Sequence, residues 1–299
     1  MKNPTAIFTS DWHLRENNPI CRTDNFIEAQ TRKLHFISDL QKKHNCPIIL
    51  GGDLFDHWKP SPWLLGYCFR NLPDNIYAIA GNHDLPAHSM ENIERSGINV
   101  LADAGKIKLL HSDDAYSLGK FSAVGFPWGT EMCGVKRSRT PFVAVVHHLV
   151  FKGKEPFPGA SVSGGTAKSI IEKLHGFGAI CVGDNHQTFV ERVGSQVLVN
   201  AGSLLRTTAA QADHKPCVFL WCADTNEVEQ VFLPIEQGVV SREHIEVKKQ
   251  RDDRIECFVS NLKKDVDVGL SFGDNISKRI AADNVSKPVQ KLIYNAMGR

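Results

Sequence analysis

The chain has 299 residues, of which 42% are hydrophobic and 23% charged, with a formal net charge of +2 and a pI near 8.1. That much apolar material fills a sizeable core and excludes a disordered chain, and the near-neutral balance excludes a uniformly basic coat, so any polyanion footprint has to be local. No apolar run approaches the ~18 residues of a membrane span, the first strand starts close to Met1, and a soluble, cytoplasmic protein is expected.

Five short runs rich in Ile and Val (AIFTS, PIILG, IYAIA, FVAVV, AICVG) have turn residues behind them and read as buried strands. After the first, Phe26, Ala29, Leu34, Ile37 and Leu40 form one apolar stripe, predicting a helix over 25–44 that feeds a strand at 47–50. Ser61 followed by Pro62 is a helix start, with the helix continuing to 72, and a strand follows at 76–80. Ser89 caps a short helix that Gly97 closes. INVLAD and KIKLLH are then expected as strands, and SAVGFPWG as a strand leading into a loop. A second unit carries a strand at 142–146, a Gly/Pro-rich loop at 152–165, a helix at 167–174 and a strand at 179–182. QVLVNAGS, PCVFLWCA and EVEQVFLPI are strand-like, so the sheet should finish with antiparallel members. Near Gln237 apolar runs thin and charge rises through SREHIEVKKQRDDR. The expected boundary makes 1–237 the main domain and 238–299 a small α/β accessory region, with a strand at HIEV, a helix over 254–264 and a terminal helix through Ile293 and Met297. The eight cysteines form no CxxC pair and mostly lie in apolar stretches, as reduced, buried thiols do.

Each of the five runs is followed at once by potential donors: Asp11/His13, Asp53, Asn82/His83, His147/His148 and Asp184/His186. In open α/β sheets ligands bind outside the carboxyl ends of the strands, so loops distant in sequence can deliver oxygen and nitrogen to one point. Asp11 and His13, two apart on a segment read as extended, should point the same way. In GGDLFD the glycines let the backbone turn sharply at Asp53, and GNHD puts an amide oxygen and an imidazole in one tight turn. A lone DxH is as well explained by a solvated aspartate beside a surface histidine; five such sites at strand ends together indicate a metal centre.

In order and content these motifs resemble the calcineurin-like metallophosphoesterases, whose pattern is DxH, GDxxD, GNH followed by an acid, an isolated His, and GHxH. The resemblance covers residues 5–205, and SDWHL (10–14), GGDLFD with KPSP (51–62), AIAGNHDLP (78–86) and AGSLLR (201–206) are similar to segments of SbcD-type DNA-repair exonuclease subunits. It implies an α/β fold, a metallophosphoesterase-type αββα sandwich of mixed sheets with a small C-terminal accessory region for capping or partner binding. It also implies a two-metal centre in which Asp11, His13 and His186 hold one divalent ion, Asn82, His147 and Asp184 the other, and Asp53 bridges them through its two carboxylate oxygens. Asp184 departs from the pattern, replacing a neutral nitrogen by an anionic oxygen. That either tilts the site toward hard ions, Mn²⁺ first and Mg²⁺ second, over Zn²⁺, or weakens the second position. His147 is favoured over His148 as ligand because it comes first after the strand, leaving His148 on the substrate side.

Two such cations clamp a phosphate and lower the pKa of a water for in-line attack on phosphorus. His83 is suited to protonate the leaving oxygen or to stabilise the charge developing in the transition state, with Asp84 either holding its tautomer or tying the turn, and Asp56 either a supporting partner or a loop acid. Lys136, Arg137 and Arg139 read as a solvated loop or as contacts to DNA phosphates, and Lys59, Lys152, Lys154 and Arg206 are further candidates. Trp12, Trp58, Trp63 and Phe157 are either base-stacking groups or core and rim aromatics. The expected function is a DNA nuclease hydrolysing phosphodiester bonds, with an SbcC-like coiled-coil ATPase subunit as partner and a homodimer compatible with the sequence. A small-molecule phosphoesterase and a metal-depleted scaffold are the rival readings.

Overall fold

The computed structural model describes residues 3–136, 138–153, 165–264 and 272–297. It divides into two units, Met1–Ser241 and Arg242–Arg299. In chain order the first unit contains β1 (Ala6–Thr9), α1 (Phe26–His44), β2 (Ile48–Leu50), α2 (Pro62–Asn71), β3 (Ile76–Ala78), α3 (Gly97–Asp103), β4 (Ile107–Leu109), β5 (Tyr116–Ser117), β6 (Ser122–Phe126) and β7 (Phe142–His147). It continues with β8 (Val150–Phe151), β9 (Gly165–Thr166), α4 (Ala167–Lys173), β10 (Ala179–Gly183), β11 (Phe189–Val193), β12 (Gln196–Asn200), β13 (Cys217–Cys222) and β14 (Glu227–Phe232).

Two six-stranded mixed sheets, ordered β14-β13-β1-β2-β3-β4 and β11-β12-β10-β7-β6-β5, form the centre of this unit. Period-two alternation assigns each residue to a face. Ala6, Phe8 and Ile49 join Val143, Val145, Ala179, Cys181 and Trp221 between the sheets, while Ile7, Ile48 and Leu50 face outward against Leu34 and Ile37 of α1, Leu64 and Cys68 of α2, and Ile98 and Leu101 of α3. On the far side Ala144, Val146, Ile180 and Val182 pack against Ile170 and Ile171 of α4. The layers are helices, sheet, sheet, helix: the αββα sandwich the motifs imply. The antiparallel closing members are β13 against β1, β14 against β13, and β11 against β12.

The helices start where their caps say they should. Asn25 accepts from the Glu28 N–H ahead of α1, and Ser61 from the Leu64 N–H ahead of α2, with Pro62 at the first position. Two segments differ from the reading of the sequence. INVLAD is helix α3 rather than a strand, because Ser96 caps it and Ile98 and Leu101, three apart, both bury on one face. The short helix expected after Ser89 is a 3₁₀ turn, Met90–Arg95, which ends at Ser96 before Gly97 opens the next helix.

The second unit contains α5 (Glu243–Lys264), α6 (Phe272–Ala282) and α7 (Lys287–Ala296). HIEV lies inside α5, not in a strand: two β-branched residues within a 22-residue run that is half charged do not overcome its helical preference. In α6, Ile276 and Ile280 bury, and Tyr294 of α7 donates its hydroxyl to Ser277 at 3.4 Å. No helix among the described residues is long and apolar enough to cross a membrane. Of the eight cysteines only Cys133 and Cys257 are exposed.

One charge sits deep in α1. Lys33 is 2% exposed, with Arg22, Arg206 and Arg32 as cationic neighbours and Asp24 as the acidic one. Burial, then the Arg22 and Arg206 charges, pull its pKa down to about 7 from 10.5. The unfolded chain therefore binds one more proton than the folded chain across that window, so this residue makes stability rise as pH rises from about 7 toward 10.5. Lys33→Met should stabilise the protein by about 1–4 kcal/mol at pH 6, with the gain shrinking at pH 10, as read by urea denaturation. An equal gain at both pH values would contradict the assignment.

Candidate metal centre

Strand register sets the site. Thr9 pairs with Leu50 and Leu50 with Ala78 in one sheet, and Gly183 pairs with His147 in the other, so the parallel strands end level and their following loops meet. The 11–14 and 52–56 segments then zip together: Asp11 N–H donates to the Gly52 carbonyl (3.1 Å), His13 N–H to Asp53 (3.0 Å) and Leu14 N–H to Leu54 (2.9 Å). AGSLLR braces them from below, with Leu204 N–H donating to the Asp11 carbonyl and Ser203 N–H to that of His186.

The DxH segment is not extended. Asp11, His13, Asp53 and Asp184 all have left-handed backbones (φ 50°, 43°, 52° and 84°), a conformation costly for residues with a Cβ and concentrated in proteins at functional sites. Glycines allow the loops to approach this closely. A methyl at Gly81 would lie 2.1 Å from Asp53 Oδ1, and one at Gly52 would lie 2.3 Å from His147 Nδ1.

All seven residues that the motifs nominated as ligands converge. Around His13 Nε2 stand His186 Nε2 at 3.0 Å and Asp53 Oδ2 at 3.5 Å, and Asp11, His13 and His186 present ligand atoms within 4.8 Å of one another. Around His147 Nε2 stand Asn82 Oδ1 at 3.0 Å, Asp53 Oδ2 at 3.6 Å and Asp184 Oδ1 at 4.0 Å. Asp53 lies between the two groups, with Oδ2 near both imidazoles and Oδ1 accepting the His83 N–H at 2.9 Å.

The electrostatics are those of a buried donor cluster lacking positive charge. Burial first, then the Asp84 and Asp11 charges, push the Asp53 carboxyl up to about 7 against the pull of His147. Burial likewise raises Asp184, and burial with the neighbouring His186 and His83 drives His13 well below its usual value. Burial pulls His147 down, but Asp53, Asp11 and Asp184 outweigh it and its pKa is raised. Asp11 Oδ2 and His13 Nδ1 are buried without a hydrogen-bond partner, and His147, with Nδ1 donating to the Gly51 carbonyl (2.8 Å), turns Nε2 toward three oxygens. Carboxylate oxygen, amide oxygen and imidazole nitrogen in this arrangement fit divalent cations.

His83 reaches the same centre: His13, Asp53 and His83 also offer ligand atoms within 4.8 Å of one another. Its Nδ1 donates to the Asp56 carbonyl at 2.9 Å, which fixes the tautomer. Asp84 does not take that part. It is fully buried, and its oxygens accept the N–H groups of Phe55 (2.9 Å), Leu54 (3.1 Å) and Gly81 (3.0 Å), tying the Asp53 and Asn82 loops together. Asp56 pairs through Oδ2 with Arg15 Nη1 at 2.9 Å, and its Oδ1 lies 3.7 Å from His13 Nδ1.

Of the residues nominated for substrate, His148 lines a cavity of about 420 Å³ that His147 also lines, and Lys59 lines one of about 150 Å³ with Arg15 and Asp56. Arg206 is 3% exposed and donates to the Ala212 carbonyl (3.1 Å) and the Glu236 carbonyl (2.5 Å), so it pins the chain instead of facing substrate. Lys136 and Arg139 are exposed on the descending part of the loop between two parallel strands. That loop must return to the amino edge of β7, and it carries Arg139 away from the His147 end. Lys152 is committed to the Val190 carbonyl at 3.1 Å. Trp12 is fully buried, donating to Thr9 Oγ1 at 2.8 Å, while Trp63 is exposed and stacks on Tyr67. Arg137, Lys154 and Phe157 lie outside the described residues.

Sequence reasoning missed Trp128, whose ring meets that of His147 at 6.0 Å and 67° and whose main-chain N–H donates to the Ala80 carbonyl at 3.1 Å. The available signal was positional: β6 is one more apolar run ending at the same edge, but an aromatic follows it instead of a donor. His88, donating to the Asn82 carbonyl at 2.8 Å, was also missed.

Residues 4–188 match the calcineurin-like phosphoesterase family, and the chain belongs to it. Family members are hydrolases of phosphoester bonds that use divalent metals. Among solved structures the chain is similar to a novel archaeal phosphodiesterase (14% identity, covering 76% of this chain and 99% of that one, TM-score 0.42). It is also similar to a hypothetical protein from Pyrococcus horikoshii OT3 (13%, 82% and 94%, TM-score 0.41). No curated protein matches the sequence.

Removing Asp84 should act on folding. Asp84→Ala strands three buried N–H groups, each costing about 1–3 kcal/mol, so urea denaturation should show a loss of at least about 3 kcal/mol. Full stability with lost turnover would instead assign it to the chemistry.

Proposed function

We propose that this chain is a two-metal phosphodiesterase acting on DNA, in the manner of the SbcD-type subunits its motifs resemble, with Mn²⁺ as the working ion. One observation carries the two-metal part: Asp53 Oδ2 lies 3.5 Å from His13 Nε2 and 3.6 Å from His147 Nε2, a single buried oxygen shared by two adjacent ligand neighbourhoods. Asp11, His13 and His186 would hold one ion and Asn82, His147 and Asp184 the other. Bound there, the ions supply Lewis acidity to the phosphoryl group and acidify the attacking water.

The protein's own groups do the rest. Asp56 places a carboxylate 3.7 Å from His13 Nδ1, Gly51 fixes the His147 tautomer, and His83 holds or delivers a proton at Nε2 to the leaving oxygen. Asp184 brings a third carboxylate where the family pattern has a neutral histidine. It lowers the positive charge facing substrate by about one elementary charge and favours a monoanionic diester over a dianionic monoester. DNA as substrate rests on SDWHL, GGDLFD, AIAGNHDLP and AGSLLR, and on the cations Arg15 and Lys59 that line one cavity. The same reading gives residues 238–299 to capping or to a coiled-coil ATPase partner.

With Mn²⁺, the purified protein should digest duplex or single-stranded DNA. Brisk turnover of nucleotides or cyclic nucleotides with intact DNA would defeat the nuclease reading. His83→Ala should retain bound metal by elemental analysis while kcat falls by about 10²- to 10⁴-fold. Asp184→His should shift metal binding toward Zn²⁺ at the expense of Mn²⁺ in competition titrations; an unchanged preference would remove Asp184 from the coordination sphere.

A further inference from the structure

We propose that the cavity of about 420 Å³ beside His147 receives the nucleobase of the nucleotide whose phosphate reacts; this rests on the phosphodiesterase reading above. The cavity lies where β6 and β7 end. Phe126 and Val146 form its floor, the 128–132 loop one wall, and His147, His148 and Lys173 the other. His147 belongs to both the cavity and the donor cluster, so a substrate with its phosphate at the cluster has this space directly beside it.

The lining suits a flat heterocycle better than a second phosphate. Its apolar surfaces come from Trp128, Met132, Phe126 and Val146, three of them buried. Its charged groups are one carboxylate, Glu131, and one ammonium, Lys173, which together give no net attraction for an anion, while Thr130 and His148 add hydrogen-bonding edges. Apolar faces with a few polar groups at the margin are how single bases are held outside a duplex. Trp128 is the stacking element: its main-chain N–H is tied to the Ala80 carbonyl, its ring packs against His147, and Gly129 (φ 78°) turns the chain away behind it. The volume falls within the range of about 300–1,000 Å³ typical of small-molecule sites and leaves room for a sugar beside the base.

Two measurements on the full chain with Mn²⁺ test this. The first compares cleavage of an oligonucleotide with that of the same oligonucleotide carrying an abasic residue at the cleaved position. Wild type should show a KM about tenfold or more lower for the base-bearing substrate, as stacking on one aromatic allows. Trp128→Ala, which removes the platform, and Met132→Trp, which fills the space, should each erase that difference while keeping bound metal. The second titrates 2-aminopurine deoxyribonucleoside 5′-monophosphate, whose fluorescence should be quenched saturably by wild type and at least tenfold more weakly by both variants. Equal discrimination and quenching in wild type and variants would overturn the assignment, as would a wild type indifferent to the base in both measurements. Quenching that depends on Trp128 in a protein that cleaves no DNA would leave the cavity assigned and the nuclease reading refuted.

Discussion

The fold is organised around an electrostatic debt at one edge of the two sheets. Asp11 and Asp53 are buried, Asp184 is nearly so, and the imidazole nitrogens of His13, His147 and His186 are turned toward them and toward one another. Burial disfavours the ionised carboxylate here, as the rise of Asp53 to about 7 expresses. A cluster of lone pairs buried at 3.0 to 4.0 Å is disfavoured unless positive charge sits among them, which agrees with a family that uses divalent metals. Four left-handed residues add a strain of about 1–3 kcal/mol each, so the local structure is held against its own preferences by what surrounds it.

The restraint comes from the backbone. Parallel strands in level register bring five loops to one line, the 11–14 and 52–56 segments extend that pairing beyond the strands, and AGSLLR supports both Asp11 and His186 from beneath. Asp84 serves the same end: one carboxylate accepting three N–H groups joins the loops that carry Asp53 and Asn82. The acidic position after GNH is thus used to build the site, and the tautomer of His83 is set instead by a main-chain carbonyl, that of Asp56.

Much of this was legible because strand-end donors have a simple signature: an Ile/Val run, a turn, then Asp, His or Asn. The runs ending before Asp11, Asp53, Asn82, His147 and Asp184 all became strands, and their donors all reached the cluster. What failed was whatever depended on three-dimensional direction. INVLAD and HIEV contain β-branched residues, but a cap at Ser96 and a long charged helical context decided otherwise. Arg206 looked like an available cation beside a motif, yet its guanidinium is spent on carbonyls; one residue's charge says nothing about which way its loop folds. DxH looked extended because its neighbours are, and the positive φ at Asp11 and His13 is imposed by pairing with a loop some forty residues away.

The placement of the basic loop bears on how this centre meets a substrate. Between two parallel strands the connecting chain must cross from the carboxyl edge to the amino edge, so only its first residues can serve the site and its last ones cannot. In the β6–β7 connection the first residues are Trp128 to Met132, a platform with few charges, and the cationic ones come late. Long-range attraction of a polyanion by Lys136 and Arg139 therefore acts, if at all, from the opposite edge of the sheet, where Debye screening over about 8–10 Å mutes it. Recognition close to the reacting phosphate falls instead to the shape and stacking surface of the cavity beside His147, with Glu131 and Lys173 as opposed charges on its margin. A chain built this way selects by what is attached to the phosphate more than by how many phosphates follow it.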